Sequence, residues 1–202
     1  MSVQQAIEVL RAGGVILHPT DTIPGLAADA LQPAAIQKIY DIKGREPGKP
    51  LLLLCQDLEM TAQYVAHIPP HARKLVSQFP QLPLTLIYPQ AQNLPANLLP
   101  PNGSVGIRIP AHAPTQQLLK GLGRPLASTS ANLSGQPSPT SMANIDVRVL
   151  KLVDYVLNLP AVETQADAVA SWVLTIEESG FNIIRQGVQH PPLLQWLKKQ
   201  SY

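Results

Sequence analysis

The chain has 202 residues, 45% of them apolar and 14% charged, with fifteen Lys and Arg against thirteen Asp and Glu. That length and apolar content suit one domain with a sizeable core, and a net charge of +2 is too small to announce a nucleic-acid binder through bulk charge, although a local basic patch stays open. Cys55 is the only cysteine, which excludes a disulfide framework and a cysteine-rich metal site; with no secretory leader pattern and no apolar run long enough for a bilayer, a cytoplasmic protein without a membrane segment is expected.

Ser2 is placed to cap a helix whose apolar stripe is Val3, Ala6, Ile7 and Leu10, and Gly13-Gly14 ends it. Val15 to His18 reads as a short buried strand. It runs into Pro19-Thr20-Asp21-Thr22-Ile23-Pro24-Gly25-Leu26, a turn with small oxygens at a strand end, where ligands of α/β sheets commonly sit. An ordinary Thr/Asp turn has the same composition. Pro33 opens a second helix that carries Ala35, Ile36, Ile39, Tyr40 and Lys43 at helical spacing.

The segment Lys43-Gly44-Arg45-Glu46-Pro47-Gly48-Lys49-Pro50 then puts three cations into seven residues. Its glycines and prolines break the helix, so Lys43, Arg45 and Lys49 are expected at or beyond the helix end, on a loop. Such cations suit phosphate or carboxylate, and a solvated basic turn is the bland alternative. A strand follows at Leu51 to Cys55, then helices from Asp57 or Leu58 to about Ala66 and from Pro70, the latter burying Leu75, Val76 and Phe79. Pro83 to Pro89 is a strand fenced by prolines, and residues 90–103 form a long loop.

Ser104 to Ile109 alternates with period two. Val105, Ile107 and Ile109 face the core, leaving Ser104, Gly106 and Arg108 on the other side, where an arginine opposite a glycine can reach into a groove. Thr115 to Leu122 is a short helix. The string Gly121-Leu122-Gly123-Arg124 lacks the third glycine of a dinucleotide fingerprint, and no Walker-type loop exists. Leu126-Ala127 leads into Ser128-Thr129-Ser130-Ala131-Asn132-Leu133-Ser134-Gly135, dense in hydroxyls; by composition alone it is a linker. Residues 141–152 read as helix, Val153 to Leu159, Val169 to Ile176 and Phe181 to Arg185 as strands, and Leu193 to Leu197 as a closing helix with Lys198 and Lys199 at its negative end.

Taken together, several of these stretches resemble the YrdC-like threonylcarbamoyl-AMP synthase family, which includes the YciO branch. They are Gly13-Gly14-Val15 through Thr22 and Gly25-Leu26; Lys43-Gly44-Arg45 with Lys49-Pro50-Leu51; Pro83 to Leu86; Val105 to Pro110; and Ser128 to Gly135. The resemblance implies an α/β fold with a twisted mixed sheet and flanking helices around a positively lined cavity. It implies a YrdC-like domain over residues 1–190 with a C-terminal helical tail at 191–202, in the short single-domain form. It implies a reaction as well: L-threonine, bicarbonate and ATP give threonylcarbamoyl-AMP and pyrophosphate, for threonylcarbamoyladenosine modification of tRNA by a downstream transferase complex.

No protein nucleophile is required for that reaction. The site must position polar reactants and neutralise charge developing on phosphate. By resemblance, Lys43 and Arg45 are the catalytic clamp. Thr22, Arg108 and Ser128 hold L-threonine, with Arg108 as a two-pronged partner of its carboxylate. Arg45, Lys49, Ser104, Ser130, Asn132, Ser138, Ser171 and Arg185 contact ATP, and Mg2+ bridges its phosphates through water. Pro24, Leu54 and Glu46 depart from the family pattern, as do the C-terminal strands. The alternatives are a non-catalytic YciO-like relative that binds RNA or nucleotide, and a carbamoyl-transfer domain with another substrate.

Overall fold

The structure, a computed structural model, describes residues 2–45, 50–158 and 170–199. Helices α1 (Val3–Arg11), α2 (Pro33–Lys43), α3 (Leu58–Tyr64), α4 (Pro70–Gln78), α5 (Ala113–Leu122), α6 (Val147–Leu150) and α7 (Pro191–Lys199) flank nine strands. The strands are β1 (Ile16–His18), β2 (Gly25–Asp29), β3 (Leu52–Leu54), β4 (Leu84–Tyr88), β5 (Val105–Arg108), β6 (Leu126–Ser130), β7 (Tyr155–Val156), β8 (Trp172–Glu177) and β9 (Gly180–Arg185). They form one mixed sheet in the order β7-β1-β2-β6-β3-β5-β4-β8-β9. No helix among the described residues is long and apolar enough to cross a membrane.

Local chemistry sets the helix ends. The Ser2 hydroxyl accepts from the Gln5 amide while the Gln5 side chain accepts from the Ser2 N–H, a capping box that starts α1. Pro33 opens α2, and Gly44 ends it in the left-handed region at φ 56°, a conformation that glycine adopts without a Cβ clash.

Side-chain alternation along the strands splits the core between two faces. On one face Leu17, Leu26, Ala28, Leu53, Ala127, Ile107, Leu86 and Leu174 belong to the larger core with α2, α4 and α7. On the other, Ile16, Ala27, Leu54 and Leu126 meet Ala6, Ile7 and Leu10 of α1 and Leu118, Leu119 and Leu122 of α5. The helices α1 and α5 cover this second face only over β1, β2, β6 and β3. Over β5, β4, β8 and β9 the same face carries no apolar cluster. Helix α7 is tied to the larger core through buried Leu193 and Leu197 and through the edge-to-face contact of Trp196 with Phe79, ring centres 6.2 Å apart.

Four segments differ from their sequence reading. β2 was expected as turn, but Gly25–Asp29 is fully buried strand. The hydroxyl-rich stretch is strand as far as Ser130. The helix expected over 141–152 is a 3-10 turn at Met142–Asn144 followed by α6, which Asp146 caps through the Arg148 amide. Of the strand expected from Val153 to Leu159, the described residues form strand at Tyr155–Val156, and Leu159 lies outside them.

Candidate active site

The uncovered half of the second face is a cavity of about 420 Å³. Sheet register builds its floor. Leu54 pairs with Arg108, Arg108 with Thr85, Thr85 with Val173 and Val173 with Arg185. Paired residues project to the same side of a sheet, so one row across β3, β5, β4, β8 and β9 brings two arginines and a threonine to one surface. The neighbouring row runs from Ala27 through Ser128 and Leu52 to Gly106 and Ile87. Gly106 leaves room beside Arg108, because a Cβ there would meet Thr85 Cγ2 at 3.3 Å.

Thr22, Arg108, Ser128, Ser104, Ser130, Ser138, Ser171 and Arg185 all line this cavity. Lys43, Arg45 and Asn132 do not line it, and Lys49 lies outside the described residues. The cationic and hydroxyl-rich segments touch directly. Lys43 is the last residue of α2 rather than a loop residue, and it is buried, 3% exposed. Its Nζ donates to the Ser130 carbonyl at 2.6 Å, the Asn132 carbonyl at 2.7 Å and Asn132 Oδ1 at 3.2 Å. An ammonium has three protons, so all three are engaged. The Ser134 amide returns a bond to the Lys43 carbonyl at 2.8 Å. Burial, with the Arg45 charge adding to it, brings the Lys43 pKa down to about 8. Asn132 Oδ1 also accepts from the Ser130 hydroxyl, and Asn132 Nδ2 donates to the Gln136 carbonyl at 2.6 Å. In this arrangement Lys43 holds the end of β6 and the loop after it in shape. Arg45 lies just past the helix end with Nε buried and without a partner among the described residues.

Arg108 is 5% exposed, and its fork is already engaged: it donates to Thr22 Oγ1 at 2.9 Å and pairs with the Asp21 carboxylate. The turn that presents Asp21 and Thr22 is fixed by Thr20, whose Oγ1 donates to the Ile23 carbonyl at 2.9 Å and accepts from the Thr22 amide at 3.0 Å. Asp21 was not singled out as a site residue from sequence. The signal lay in its place at a strand end, but its partner is 87 residues away. Thr85 is a second omission. Its hydroxyl meets Ser171 Oγ at 2.9 Å, and Arg185 donates to Ser171 Oγ at 3.1 Å and to the Ser171 carbonyl at 3.0 Å. Burial and the charge of Arg108 both lower the Arg185 pKa, which marks this wall as a place that favours an anion.

Just before the Thr20–Thr22 turn, His18 is fully buried, and neither ring nitrogen makes a hydrogen bond of ordinary geometry among the described residues. Burial, then the charge of His112, holds its pKa down to about 4. The imidazole is therefore neutral across the physiological range. Among the described residues, no cluster of three or more His, Cys, Asp or Glu could hold a metal ion.

Comparison with known proteins gives matches in sequence and in fold. Residues 8–187 match the family profile described as "Sua5_yciO_yrdC: Telomere recombination". The threonylcarbamoyl-AMP synthase of Pyrococcus abyssi is 35% identical over 136 residues, which cover 67% of this chain and 40% of that one. The crystal structure of P. abyssi Sua5 complexed with L-threonine superposes with a TM-score of 0.85 at 29% identity, over 98% of this chain and 57% of that one. Escherichia coli YciO superposes with a TM-score of 0.81 at 26% identity, over 95% of this chain and 91% of the other. The matched regions thus span 40% of the P. abyssi synthase in sequence and 57% of the Sua5 chain in structure, against 91% of YciO.

Proposed function

Because the chain belongs to the Sua5, YciO and YrdC family, we propose that it is an L-threonylcarbamoyladenylate synthase, a nucleotidyltransferase that joins L-threonine, bicarbonate and ATP into threonylcarbamoyl-AMP and pyrophosphate. The product would serve threonylcarbamoyladenosine formation on tRNA by a downstream transferase. The observation that carries this reading is the cross-strand row that gathers Arg108, Thr85 and Arg185 on the floor of one cavity, with Ser128 and Ser130 beside it. Cavities of roughly 300–1,000 Å³ take small ligands, and this one offers cations and hydroxyls where the phosphates of ATP, bicarbonate and the carboxylate of threonine must meet.

On this reading, Thr22, Arg108 and Ser128 hold the amino acid. Arg185 and Ser171, with Ser104, Ser130 and Ser138, line the ATP side, Arg45 meets the phosphates from just past α2, and Lys49 of the same basic segment contributes charge to them. Lys43 and Asn132 act by fixing the hydroxyl-bearing strand end. The free amine of threonine attacks bicarbonate, which loses a water molecule to give the carbamate; a carbamate oxygen then attacks the α-phosphorus as pyrophosphate leaves. The protein's part is to orient these groups and offset phosphate charge. Mg2+ would enter with the ATP phosphates, through water.

The test is an incubation of purified protein with ATP, bicarbonate and Mg2+, with and without L-threonine. Threonine-dependent pyrophosphate release is expected. Release that is equal in both tubes, or missing from both, removes the proposal. The second outcome favours a non-catalytic relative that binds RNA or nucleotide, a reading that the near full-length likeness to YciO supports.

A further inference from the structure

Asp21 is the only carboxylate among the described residues that line the cavity, against the two cations Arg108 and Arg185. Its side chain is 20% exposed, while that of the Arg108 it pairs with is 5% exposed. A ligand in the cavity therefore reaches the carboxylate more easily than the guanidinium behind it. Thr20 pins the turn on both sides of Asp21, so this placement does not depend on a loose loop.

An anion in this wall opposes every charged group of the three reactants except one. ATP, bicarbonate and the threonine carboxylate are all negative, and the α-ammonium of the amino acid is their single cationic group, Mg2+ travelling with the ATP phosphates. We infer that Asp21 is a specificity-determining residue that receives the α-ammonium group, so that Asp21 and Arg108 together read the two opposite charges of a free α-amino acid. Within an amino acid these charges are a few bonds apart, which suits an acid and a base already in contact. Charge-assisted hydrogen bonds of this kind are about twice as strong as neutral ones. The inference rests on the synthase reading of the same cavity. It extends that reading by making the amine, and not only the carboxylate, a recognised group.

Calorimetric titration of the protein with L-threonine, and separately with 2,3-dihydroxybutanoate, which has a hydroxyl in place of the amine, tests it without turnover. The wild-type protein is expected to bind L-threonine at least about tenfold more tightly than the hydroxy acid, a gap of about one charge-assisted contact. Asp21→Asn should weaken L-threonine by a similar factor and leave the hydroxy acid unchanged or bound more tightly. Asp21→Glu, which keeps the charge, should restore part of the loss, and melting curves of both variants report that they are folded. If Asp21→Asn binds L-threonine as well as or better than wild type, Asp21 merely competes for Arg108 and the inference is wrong. Equal loss of both ligands would show that Asp21 only positions Arg108, which also overturns it. A wild-type protein that binds no L-threonine at all would instead remove the synthase reading beneath.

Discussion

Replacing Lys43 with methionine separates two roles that the structure gives this residue. The ammonium is buried and its pKa is about 8, against an ordinary 10.5. At 1.36 kcal/mol per unit, keeping it charged at pH 7 costs about 3 kcal/mol relative to water. Lys43→Met relieves that cost but strips a donor from the Ser130 and Asn132 carbonyls; each buried acceptor left alone costs about 1–3 kcal/mol. The net change at neutral pH therefore runs from a gain of about 1 kcal/mol to a loss of about 3 kcal/mol, and the variant should fold. The pH dependence is more discriminating. Between the folded and unfolded pKa values the unfolded chain binds more protons, so wild-type stability rises with pH from about 8 towards 10.5. The methionine variant lacks this contribution. Denaturant unfolding of both proteins at pH 7 and pH 10 should show wild type gaining about 2–3 kcal/mol on the variant. A stability gap that stays constant between the two pH values would refute the buried-ammonium reasoning. Threonine-dependent pyrophosphate release should drop severely in the folded variant at pH 7, because Asn132 and the end of β6 lose their anchor.

Three further outcomes are expected. His18 has a folded pKa of about 4, below its ordinary 6.5, so its contribution holds above 6.5 and is lost as pH falls towards 4; unfolding curves at pH 5 should show His18→Leu gaining about 2 kcal/mol on wild type relative to pH 7.5. Gly121→Ala places a Cβ 2.3 Å from Ile7 Cδ1, an overpacking expected to cost about 1–3 kcal/mol, and Ile7→Val in the same chain, which removes that Cδ1, should recover much of the loss in denaturant midpoint. Thr85→Val removes the hydroxyl that meets Ser171 Oγ, so stability should fall by about 1 kcal/mol, with KM rising more for ATP than for L-threonine in steady-state assays.

The architecture was largely legible wherever one chain segment decides its own state. The capping box at Ser2, Pro33 at the head of α2 and the period-two pattern of Val105, Ile107 and Ile109 are local signals, and each element formed where it was read. β2 escaped because Gly25-Leu26-Ala27-Ala28-Asp29 has no β-branched residue and is buried on both faces, so neither propensity nor alternation marks it. β6 was hidden by its Ser-Thr-Ser composition, which suits a linker in isolation and a cavity floor once Leu52 and Gly25 flank it. Site membership was legible for the residues whose alternation or motif gave a face, as with Arg108. The inward turn of Lys43 was not, because its acceptors lie 87 and 89 residues away. Asp21 was opaque for the same reason.

Strand β6 lies between β2 and β3, and among the named strands β2 and β3 do not pair with each other. Until Ser130 has left the ribosome, the growing chain owns a β1–β2 hairpin and a separate β3–β5–β4 ribbon with nothing to zip them together. The central keystone thus arrives only after β1 to β5 have been made, and pairings of such long range close slowly. A nascent chain stalled before Leu126 carries four unpaired strand edges, on β1, β2, β3 and β4, which makes that interval the one in which a holding chaperone matters most.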